Sequence, residues 1–377
     1  MKRFESRNGH FDRLVANADL RWMGQNTNHV PAHPAVFEAM QKCIRDEGFH
    51  IYAPPLGFEA LRQGIIDDLG LPGLTAMVTD GAVEALYHAC HTLLQPGDEF
   101  VTTDPTWNWP MAFARSKGAE VKQVPIYGEE YGYRLSAERL AAAITPKTKI
   151  VYLVDPNNPL GTACTAEEIS TIVDVVKKAG AYLIHDCTYR DFAYDHTLAA
   201  KIYPEKTLTI YSFSKWSGLA GLRVGAVISN PDLIEALSAS PPNNLGSNIV
   251  SQHAAIAALS IKKEWFPKVL QVTRDNQKVV KDACDKIDRL VVPVFPSNGN
   301  FLVVETQKLG IAPEALVAAY QNHNIMIRQG AYHTPKFGDR FIKVSVSVPQ
   351  EWAEEFAHIL PQVIEEARTL KIDAGNF

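Results

Sequence analysis

One lysine, Lys215, stands in a setting that favours covalent chemistry with a carbonyl compound. It follows the apolar run 207–212, which is typical of a strand, and small and hydroxylated residues surround it. A lysine held at a strand end and partly desolvated has a lowered pKa, so its neutral amine can form a Schiff base with an aldehyde or ketone. The alternative is that Lys215 is a surface lysine and that the glycines after it merely form a turn.

The residues near Lys215 also suit a phosphate group. Ser212 and Ser214 offer hydroxyls, and Arg223 offers a guanidinium group a short distance along the chain. Hydroxyl and guanidinium groups together bind a dianionic phosphate well. A carbonyl compound with a phosphate handle indicates pyridoxal phosphate as the ligand.

Four other segments supply groups that such a ligand needs. Asp186 ends a predicted strand, where its carboxylate can keep a pyridine nitrogen protonated. Asn157 presents an amide from a proline-rich turn, and Trp107 offers a flat ring for stacking. The main-chain N–H groups of Gly81 and Ala82 open a predicted helix, and helix N-termini bind phosphate. Taken singly, each residue also has an ordinary explanation as a cap, a turn residue or a packed side chain.

Together and in this order, the motifs resemble those of fold type I pyridoxal-phosphate enzymes of the aminotransferase class I and II family. The resemblance covers nearly the whole chain. Its most specific motifs are Asp155-Pro-Asn-Asn-Pro-x-Gly161, Asp186-x-x-Tyr189 and Ser212-x-Ser-Lys-x-x-Gly-Leu-x-Gly-Leu-Arg-x-Gly225. Two further features, Arg328 and the pair Asn300-Phe301, are similar to the histidinol-phosphate aminotransferase branch.

The resemblance implies a role for each of these residues. Lys215 forms the Schiff base, and Asp186 and Tyr189 complete the catalytic set, with Asp186 bound to the pyridine nitrogen. Asn157 and Tyr189 hydrogen-bond the ring oxygen, and Trp107 stacks on the ring. The phosphate is held by residues from both ends of the cofactor domain: Gly81, Ala82, Ser212, Ser214, Arg223 and the partner subunit's Tyr52. The last contact implies a homodimer with shared active sites.

The substrate end of the predicted site departs from the family pattern. The family usually has an arginine for the substrate α-carboxylate where this chain has Lys343, and lysine lacks the planar two-point fork of arginine. We predict Lys343, Arg328, Asn157 and Asn28 as substrate-binding residues, with either Lys343 or Arg328 as the carboxylate anchor. A substrate other than an ordinary α-amino acid is the alternative.

The helices and strands that must position these residues alternate along the chain. Between about residues 55 and 260, helical periodicity alternates with short apolar runs, which is typical of a mostly parallel sheet with helices on both faces. We therefore predict an α/β fold whose large domain has a mostly parallel, seven-stranded sheet sandwiched by helices, next to a smaller α+β domain. The seven strands are implied by the resemblance.

The expected domain boundaries follow the change of pattern. Residues 1–45 form an N-terminal arm and part of the small domain, 46–260 form the large cofactor-binding domain, and 261–377 form the small C-terminal domain. A long amphipathic helix is predicted over 262–290, and a single strand over 325–328. The 377 residues exceed the roughly 250 to 300 that one core usually holds.

Composition excludes several other classes of protein. A net charge of −5 from 37 basic and 42 acidic residues gives no basic surface for nucleic acid or an anionic membrane. No apolar stretch approaches the roughly 18 residues of a membrane span. The five cysteines are scattered and include no Cys-x-x-Cys pair, so we expect no metal site. They are typical of free thiols in a reducing compartment, and we therefore predict a cytoplasmic protein.

The predicted activity is that of a pyridoxal-phosphate-dependent aminotransferase. It moves an amino group between an amino acid or related amine and a 2-oxo acid through Lys215. A C–S lyase, an amino-acid decarboxylase or a cyclase on the same fold is the main alternative. A pyridoxal-sensing module is disfavoured because no DNA-binding pattern precedes Tyr52, and a nicotinamide enzyme because the Gly-x-Gly-x-x-Gly turn is missing.

Overall fold

The computed structural model describes residues 3–239 and 245–370. Its helices are α1 Arg3–Ala16, α2 Pro34–Arg45, α3 Glu59–Leu69, α4 Ala82–Leu93, α5 Trp109–Ser116, α6 Ala137–Ala143, α7 Ala166–Lys178, α8 Pro231–Ala239, α9 Ile249–Cys284, α10 Pro313–Asn322 and α11 Gln350–Ala367. Its strands are β1 Arg21–Trp22, β2 Thr75–Thr79, β3 Glu99–Asp104, β4 Glu120–Pro125, β5 Thr148–Val154, β6 Tyr182–Asp186, β7 Thr207–Ser212, β8 Gly225–Ser229, β9 Phe301–Glu305, β10 Ile325–Met326, β11 Arg328–Gln329 and β12 Phe341–Ser345.

The larger sheet has seven strands in the order β2-β8-β7-β6-β5-β3-β4. Strand β8 runs antiparallel to β2 and β7, and the other neighbouring strands are parallel. Every residue of β3, β7 and β8 is buried, as expected for strands covered by helices on both faces. This sheet confirms the predicted α/β fold.

The parallel strands bring their carboxyl ends to one edge of the large sheet. Strands β3, β6 and β7 end there in the polar residues Asp104, Asp186 and Ser212. Strand β2 ends at the same edge, because Thr79 and Ser212 both pair with Gly225 of the antiparallel β8. The polar residues at the ends of these strands therefore lie close together at one edge of the sheet, where open α/β sheets typically bind ligands.

A smaller antiparallel sheet, in the order β11-β12-β9, forms the second region. Helices α10 and α11 pack with it around a separate hydrophobic core that includes Tyr320 and Phe356. Strand β1 of the N-terminal arm pairs in parallel with β10, so the arm is attached to this region. The arm then leads toward the edge of the large sheet where the polar residues lie.

Helix α9 spans 36 residues and connects the two regions. It begins at the N-cap Asn248, whose side chain accepts a hydrogen bond from the N–H of Ser251 at 2.9 Å. Its buried residues up to Val269 pack in a large-domain core, and those from Val280 pack in the small-domain core. The boundary that we placed at residue 260 thus falls inside this helix. Of the helices described, none is long and apolar enough to cross a membrane.

Candidate active site

Lys215 lies just beyond β7, in a loop that two buried aromatic residues hold in place. Phe213 and Trp216, on either side of the lysine, are both almost fully buried. The Lys215 Nζ donates a hydrogen bond to the Gln25 carbonyl oxygen at 2.9 Å. Burial, with a further contribution from Arg223, lowers the pKa of Lys215 to about 8. A substantial fraction of the side chain is therefore a neutral, nucleophilic amine near neutral pH.

Asp186 is held rigidly at the end of β6. Its Oδ2 accepts a hydrogen bond from the Tyr152 hydroxyl at 2.9 Å, and its Oδ1 accepts one from the Thr188 N–H at 3.1 Å. Burial raises the pKa of Asp186, and the hydrogen bonds from Thr188 and Tyr152 oppose part of that rise. Its charge is within electrostatic reach of Lys215. A buried, oriented carboxylate of this kind suits a cationic ring nitrogen.

The first turn of α4 and Arg223 form a cradle for an anion. Gly81 is the N-cap of α4, with φ 82°, and as a glycine it offers no side-chain cap. A Cβ atom placed on Gly81 would lie 2.2 Å from Nη2 of Arg223. Glycine is thus required for the guanidinium to lie against the helix N-terminus. Main-chain N–H groups at a helix start beside a guanidinium fit the phosphate of pyridoxal phosphate.

Local backbone geometry supports this cradle. Arg223 adopts the left-handed conformation with φ 52°, and its Nη1 donates to the carbonyl oxygen of Ala220 at 2.8 Å. A Cβ on Gly225 would lie 2.5 Å from the nitrogen of Ala82, so β8 approaches α4 closely. Ser212 Oγ accepts a hydrogen bond from the N–H of Ser214 at 3.2 Å. Strained residues at such positions are typical of ligand-binding loops.

Tyr189 lies in a cluster of amide side chains. Its hydroxyl oxygen accepts hydrogen bonds from Asn26 Nδ2 at 2.9 Å and from Asn158 Nδ2 at 3.3 Å. Burial raises the pKa of Tyr189, so its hydroxyl stays protonated. Asn157 is also buried, and its Oδ1 accepts the N–H of Leu160 at 3.2 Å, which fixes the turn after β5.

Two predicted cofactor residues lie farther toward the surface. Trp107 is partly buried and packs against the core under α4 and α5. Tyr52 is 78% exposed, so within one chain it contacts little. Such exposure is compatible with the predicted contact to a second subunit, and the roles of both residues stay predictions.

The substrate end of the site contains two cations on neighbouring strands. Lys343 of β12 lies opposite Arg328 of β11 in the antiparallel register. Lys343 is 3% exposed, and no hydrogen bond or ion pair to its Nζ occurs among residues 3–239 and 245–370. Burial lowers the pKa of Lys343 well below its usual range, and Lys215 and Arg328 lower it further. Like charges across a strand pair are unfavourable, so this arrangement favours an anionic ligand.

Asn28, one of the predicted substrate-binding residues, lies in the arm and binds main-chain groups. Its Nδ2 donates to the carbonyl oxygen of Trp216 at 3.0 Å, and its Oδ1 accepts the N–H of Val30 at 2.9 Å. Both ends of its amide are thus bound to main-chain groups, and the residue fastens the arm beside the Lys215 loop. A role of Asn28 in substrate binding stays a prediction. The arm residue that reaches Tyr189 is Asn26.

Sequence reasoning missed Asn26, Asn158 and Tyr152. All three are buried, and each donates a hydrogen bond to a predicted site residue. In the sequence, however, their distance from neighbouring motifs does not distinguish them from ordinary turn or core residues. Asn26 lies within the predicted N-terminal arm, two residues from Asn28, which we predicted as a substrate-binding residue. The only signal in the sequence for Asn26 was its position in the arm. That position did not indicate which of the two residues, Asn26 or Asn28, contacts the site.

A cluster of His185, Cys187 and His196 behind Asp186 has side chains close enough to suggest a metal centre. Hydrogen bonding opposes that interpretation. His185 Nδ1 accepts the N–H of Ala199 at 3.3 Å, so the ring proton lies on Nε2, which faces Asp155 Oδ2 at 3.4 Å. A protonated nitrogen is not a metal ligand. The cluster is better explained as a hydrogen-bonded network that supports the end of β6.

The chain is similar to known aminotransferases over most of its length. Residues 18–360 match the family Aminotransferase class I and II. The histidinol-phosphate aminotransferase of Methanopyrus kandleri is 30% identical over 319 residues, which cover 81% of this chain and 79% of that protein. The aspartate/prephenate aminotransferase of Thermus thermophilus is 27% identical over 307 residues, 78% of each chain.

Solved structures show the same fold. The N-succinyldiaminopimelate aminotransferase from Mycobacterium tuberculosis superposes with a TM-score of 0.85 at 21% identity, covering 96% of this chain and 99% of that one. The relatives are named aminotransferases, and nothing in them favours the lyase or decarboxylase alternative. The predicted family, fold class, activity and cofactor are confirmed. This chain belongs to the aminotransferase class I and II family, and it is an aminotransferase that depends on pyridoxal 5′-phosphate.

Proposed function

We propose that Lys215 binds the cofactor covalently and then moves the proton at the substrate Cα. One observation carries this proposal: Lys215 has a pKa lowered to about 8 and lies within electrostatic reach of both Arg223 and Asp186. The lysine thus interacts electrostatically with both the guanidinium of the phosphate cradle and the buried carboxylate of Asp186. When bound, the cofactor supplies an electron-withdrawing ring, and the amine of Lys215 is the base beside it.

The other proposed contacts hold different parts of the cofactor. Asp186 holds the ring nitrogen protonated, and Tyr189 and Asn157 bind the ring oxygen. Trp107 covers one face of the ring. Phosphate binding is assigned to the cradle and the serines of the lysine loop, namely Gly81, Ala82, Ser212, Ser214 and Arg223. Support comes from the glycine N-cap of α4 and from the close approach of Arg223 to Gly81.

The role of Asp186 can be tested with Asp186→Asn. A neutral amide would not stabilise a protonated ring nitrogen, so we expect cofactor to remain bound while exchange of the substrate Cα proton slows by about 10²-fold or more. Exchange is measured in single turnover by mass spectrometry. An exchange rate within about threefold of wild type, roughly 0.7 kcal/mol of barrier, would show that the assignment is wrong.

We also propose a homodimer whose two subunits share each active site. Exposed apolar side chains support it: Ile51 and Phe49 beside Tyr52 are 68% and 53% exposed, and Phe37 and Ile44 of α2 are 57% and 53% exposed. A cluster of such side chains is typical of an interface. Tyr52 would then reach the phosphate in the other subunit's site.

Hybrid dimers test this sharing directly. A Tyr52→Ala chain combined with a Lys215→Ala chain should regain about half of the wild-type activity per dimer, because one of the two sites then receives both intact residues. If Tyr52 served its own subunit, both sites of the hybrid would be defective and no activity would return. Different affinity tags on the two chains, with purification on each tag in turn, isolate the hybrids.

The proposed substrates are an amino compound and a 2-oxo acid that each carry an anionic group near the reacting carbon. Lys343, which is buried without an ion pair within the described chain, and the adjacent Arg328 support this choice. A screen of amino donors against several 2-oxo acids, with product masses measured, identifies the pair. The proposed compartment is the cytoplasm, which the five free thiols support.

A further inference from the structure

The hydroxyl of Tyr189 has both of its acceptor positions filled by protein. Asn26 Nδ2 donates to it at 2.9 Å, and Asn158 Nδ2 donates to it at 3.3 Å. A tyrosine hydroxyl has one hydrogen and two lone pairs. With two amide donors on the oxygen, its hydrogen must be directed toward a third group.

The amide of Asn26 has its orientation set by Ser345. The Asn26 N–H donates to Ser345 Oγ at 2.8 Å, and Ser345 Oγ in turn donates to Asn26 Oδ1 at 3.2 Å. Because Oδ1 takes the serine hydrogen, Nδ2 is turned toward Tyr189. Asn26 is 1% exposed, so solvent does not compete for these bonds.

The backbone of Asn26 is also fixed by the small domain. Its carbonyl oxygen accepts a hydrogen bond from Asn300 Nδ2 at 3.0 Å, and its φ is 54°, in the left-handed region. Asparagine tolerates this conformation better than most residues. The next residue toward the N-terminus, Gln25, accepts the hydrogen bond from Lys215. Asn26 thus joins the arm, the small-domain sheet and the large-domain site at one point.

We propose that Asn26 is a positioning residue that makes the Tyr189 hydroxyl an obligatory hydrogen-bond donor to the ring oxygen of the cofactor. This inference rests on the proposed assignment of Tyr189 to that oxygen. Since Ser345 and Asn300 hold Asn26, the donor direction depends on the arm being seated on the small domain. Asn26 therefore acts on the cofactor through Tyr189, without touching the reacting atoms.

A donated hydrogen bond stabilises negative charge on the ring oxygen. That charge is least compensated when the nitrogen of Lys215 carries no proton, so the donor favours the unprotonated state of this nitrogen. Loss of the donor should therefore raise the pH midpoint at which the visible absorbance of the bound cofactor changes. This midpoint reports the hydrogen bond without requiring turnover.

The variant Asn26→Gly removes the amide and keeps the backbone bonds, because glycine readily adopts φ near 54°. We expect Tyr189→Phe to raise the midpoint of the holoenzyme by about one pH unit, the scale of one hydrogen bond to a charged group. Asn26→Gly should raise it by about half a unit or more. In the double variant the midpoint should equal that of Tyr189→Phe alone, because Asn26 acts through Tyr189.

Thr27→Ala is the matched control in the arm. Thr27 adjoins Asn26, but its hydroxyl contacts His29 Nε2 at 2.7 Å, so we expect the wild-type midpoint. If Asn26→Gly does not fold, Ser345→Ala serves as the second variant and should shift the midpoint in the same direction by a smaller amount.

Two results would overturn the proposal. One is a wild-type midpoint in both Asn26→Gly and Ser345→Ala, and the other is a shift in Asn26→Gly that persists unchanged in the Tyr189→Phe background. A wild-type midpoint in Tyr189→Phe itself would instead contradict the assignment of Tyr189 to the ring oxygen. The titration thus separates failure of that assignment from failure of the role of Asn26.

Discussion

Two groups of buried cations in this protein differ in how their charge is balanced. Beneath the Lys215 loop, Lys262 lies 2.7 Å from Asp68 and 2.6 Å from Asp191, and Arg190 contacts the same two carboxylates. The side chains of these four residues are only 10 to 18% exposed. We refer to them as the paired cluster.

The lysines of the active site have no such balance. Lys215 and Lys343 form no ion pair within residues 3–239 and 245–370, and burial lowers the pKa of both. In the paired cluster, by contrast, Lys262 and Arg190 outweigh the effect of burial and lower the pKa of Asp68. Charges matched within the protein stabilise the fold. Basic groups left without a carboxylate partner make the fold less stable and leave two lysines available to ligands.

The largest expected effect is on turnover in Lys215→Ala. We expect kcat to fall by about 10⁴-fold or more, since no other base lies at the same place, while phosphate contacts retain part of the cofactor affinity. Steady-state rates and a spectroscopic cofactor titration measure the two effects. Circular dichroism confirms that the variant is folded. Residual turnover within about tenfold of wild type would show that the unpaired lysine is not the catalytic one.

A substitution in the paired cluster should lower the stability of the fold and leave turnover nearly unchanged. Asp68→Asn leaves Arg190 and Lys262 with one carboxylate between them, and we expect the free energy of unfolding to fall by about 3 kcal/mol. Turnover per folded molecule should change by less than about threefold. Urea unfolding measures the loss. A change below about 0.5 kcal/mol would mean that the matched charges contribute little, and the contrast between the two groups would fail.

The pH dependence of stability sharpens the same contrast. Because the pKa of Lys215 is about 8 in the folded protein and higher when unfolded, the unfolded chain binds more protons over that interval. Stability of the cofactor-free protein therefore falls as pH decreases from about 10.5 to 8. In Lys215→Met this pH-dependent loss of stability should be absent. Its free energy of unfolding should therefore exceed that of the wild type by about 2 to 3 kcal/mol below pH 8.

Unfolding of the wild type and Lys215→Met at a series of pH values checks this expectation. The two curves should converge above about pH 10.5, where the lysine is neutral in both states. Parallel curves, with a constant difference at every pH, would indicate a packing effect of methionine and would contradict the lowered pKa.

The smallest effect concerns Lys343. We expect Lys343→Ala to weaken substrates with an α-carboxylate by about 1.5 to 3 kcal/mol, the scale of a charge-assisted hydrogen bond. The corresponding decarboxylated amines should be hardly affected. Values of kcat/KM for both compounds measure the difference, and Arg328→Ala is the comparison variant. Equal losses for both compounds in Lys343→Ala would remove its role as anchor, and a selective loss in Arg328→Ala alone would assign that role to Arg328.

The parts of the site that could be predicted from sequence depend on local patterns. Lys215, Asp186 and Gly81 each lie at the last residue of a strand or within three residues after it, and parallel strands must bring such residues to one edge. The short buried strand β7 was predicted with its observed bounds, since residues 207–212 are mostly apolar or β-branched.

Other features depend on contacts between distant residues. Asn26 and Tyr189 are 163 positions apart, and no periodicity links them. The single strand predicted over 325–328 is divided, because β10 pairs with the arm and β11 pairs with β12. The predicted helix 262–290 begins earlier, at Ile249, since buried small residues such as Ala254 and Ala258 lack an amphipathic pattern.

Borohydride reduction of the resting holoenzyme followed by peptide mapping tests the central claim, that the lysine left without a carboxylate partner is the one that holds the cofactor. Reduction fixes the cofactor permanently to the amine with which it is linked. We predict one cofactor per chain, attached at Lys215, and no attachment in Lys215→Ala. Attachment at another lysine, such as the equally unpaired Lys343, would contradict the account.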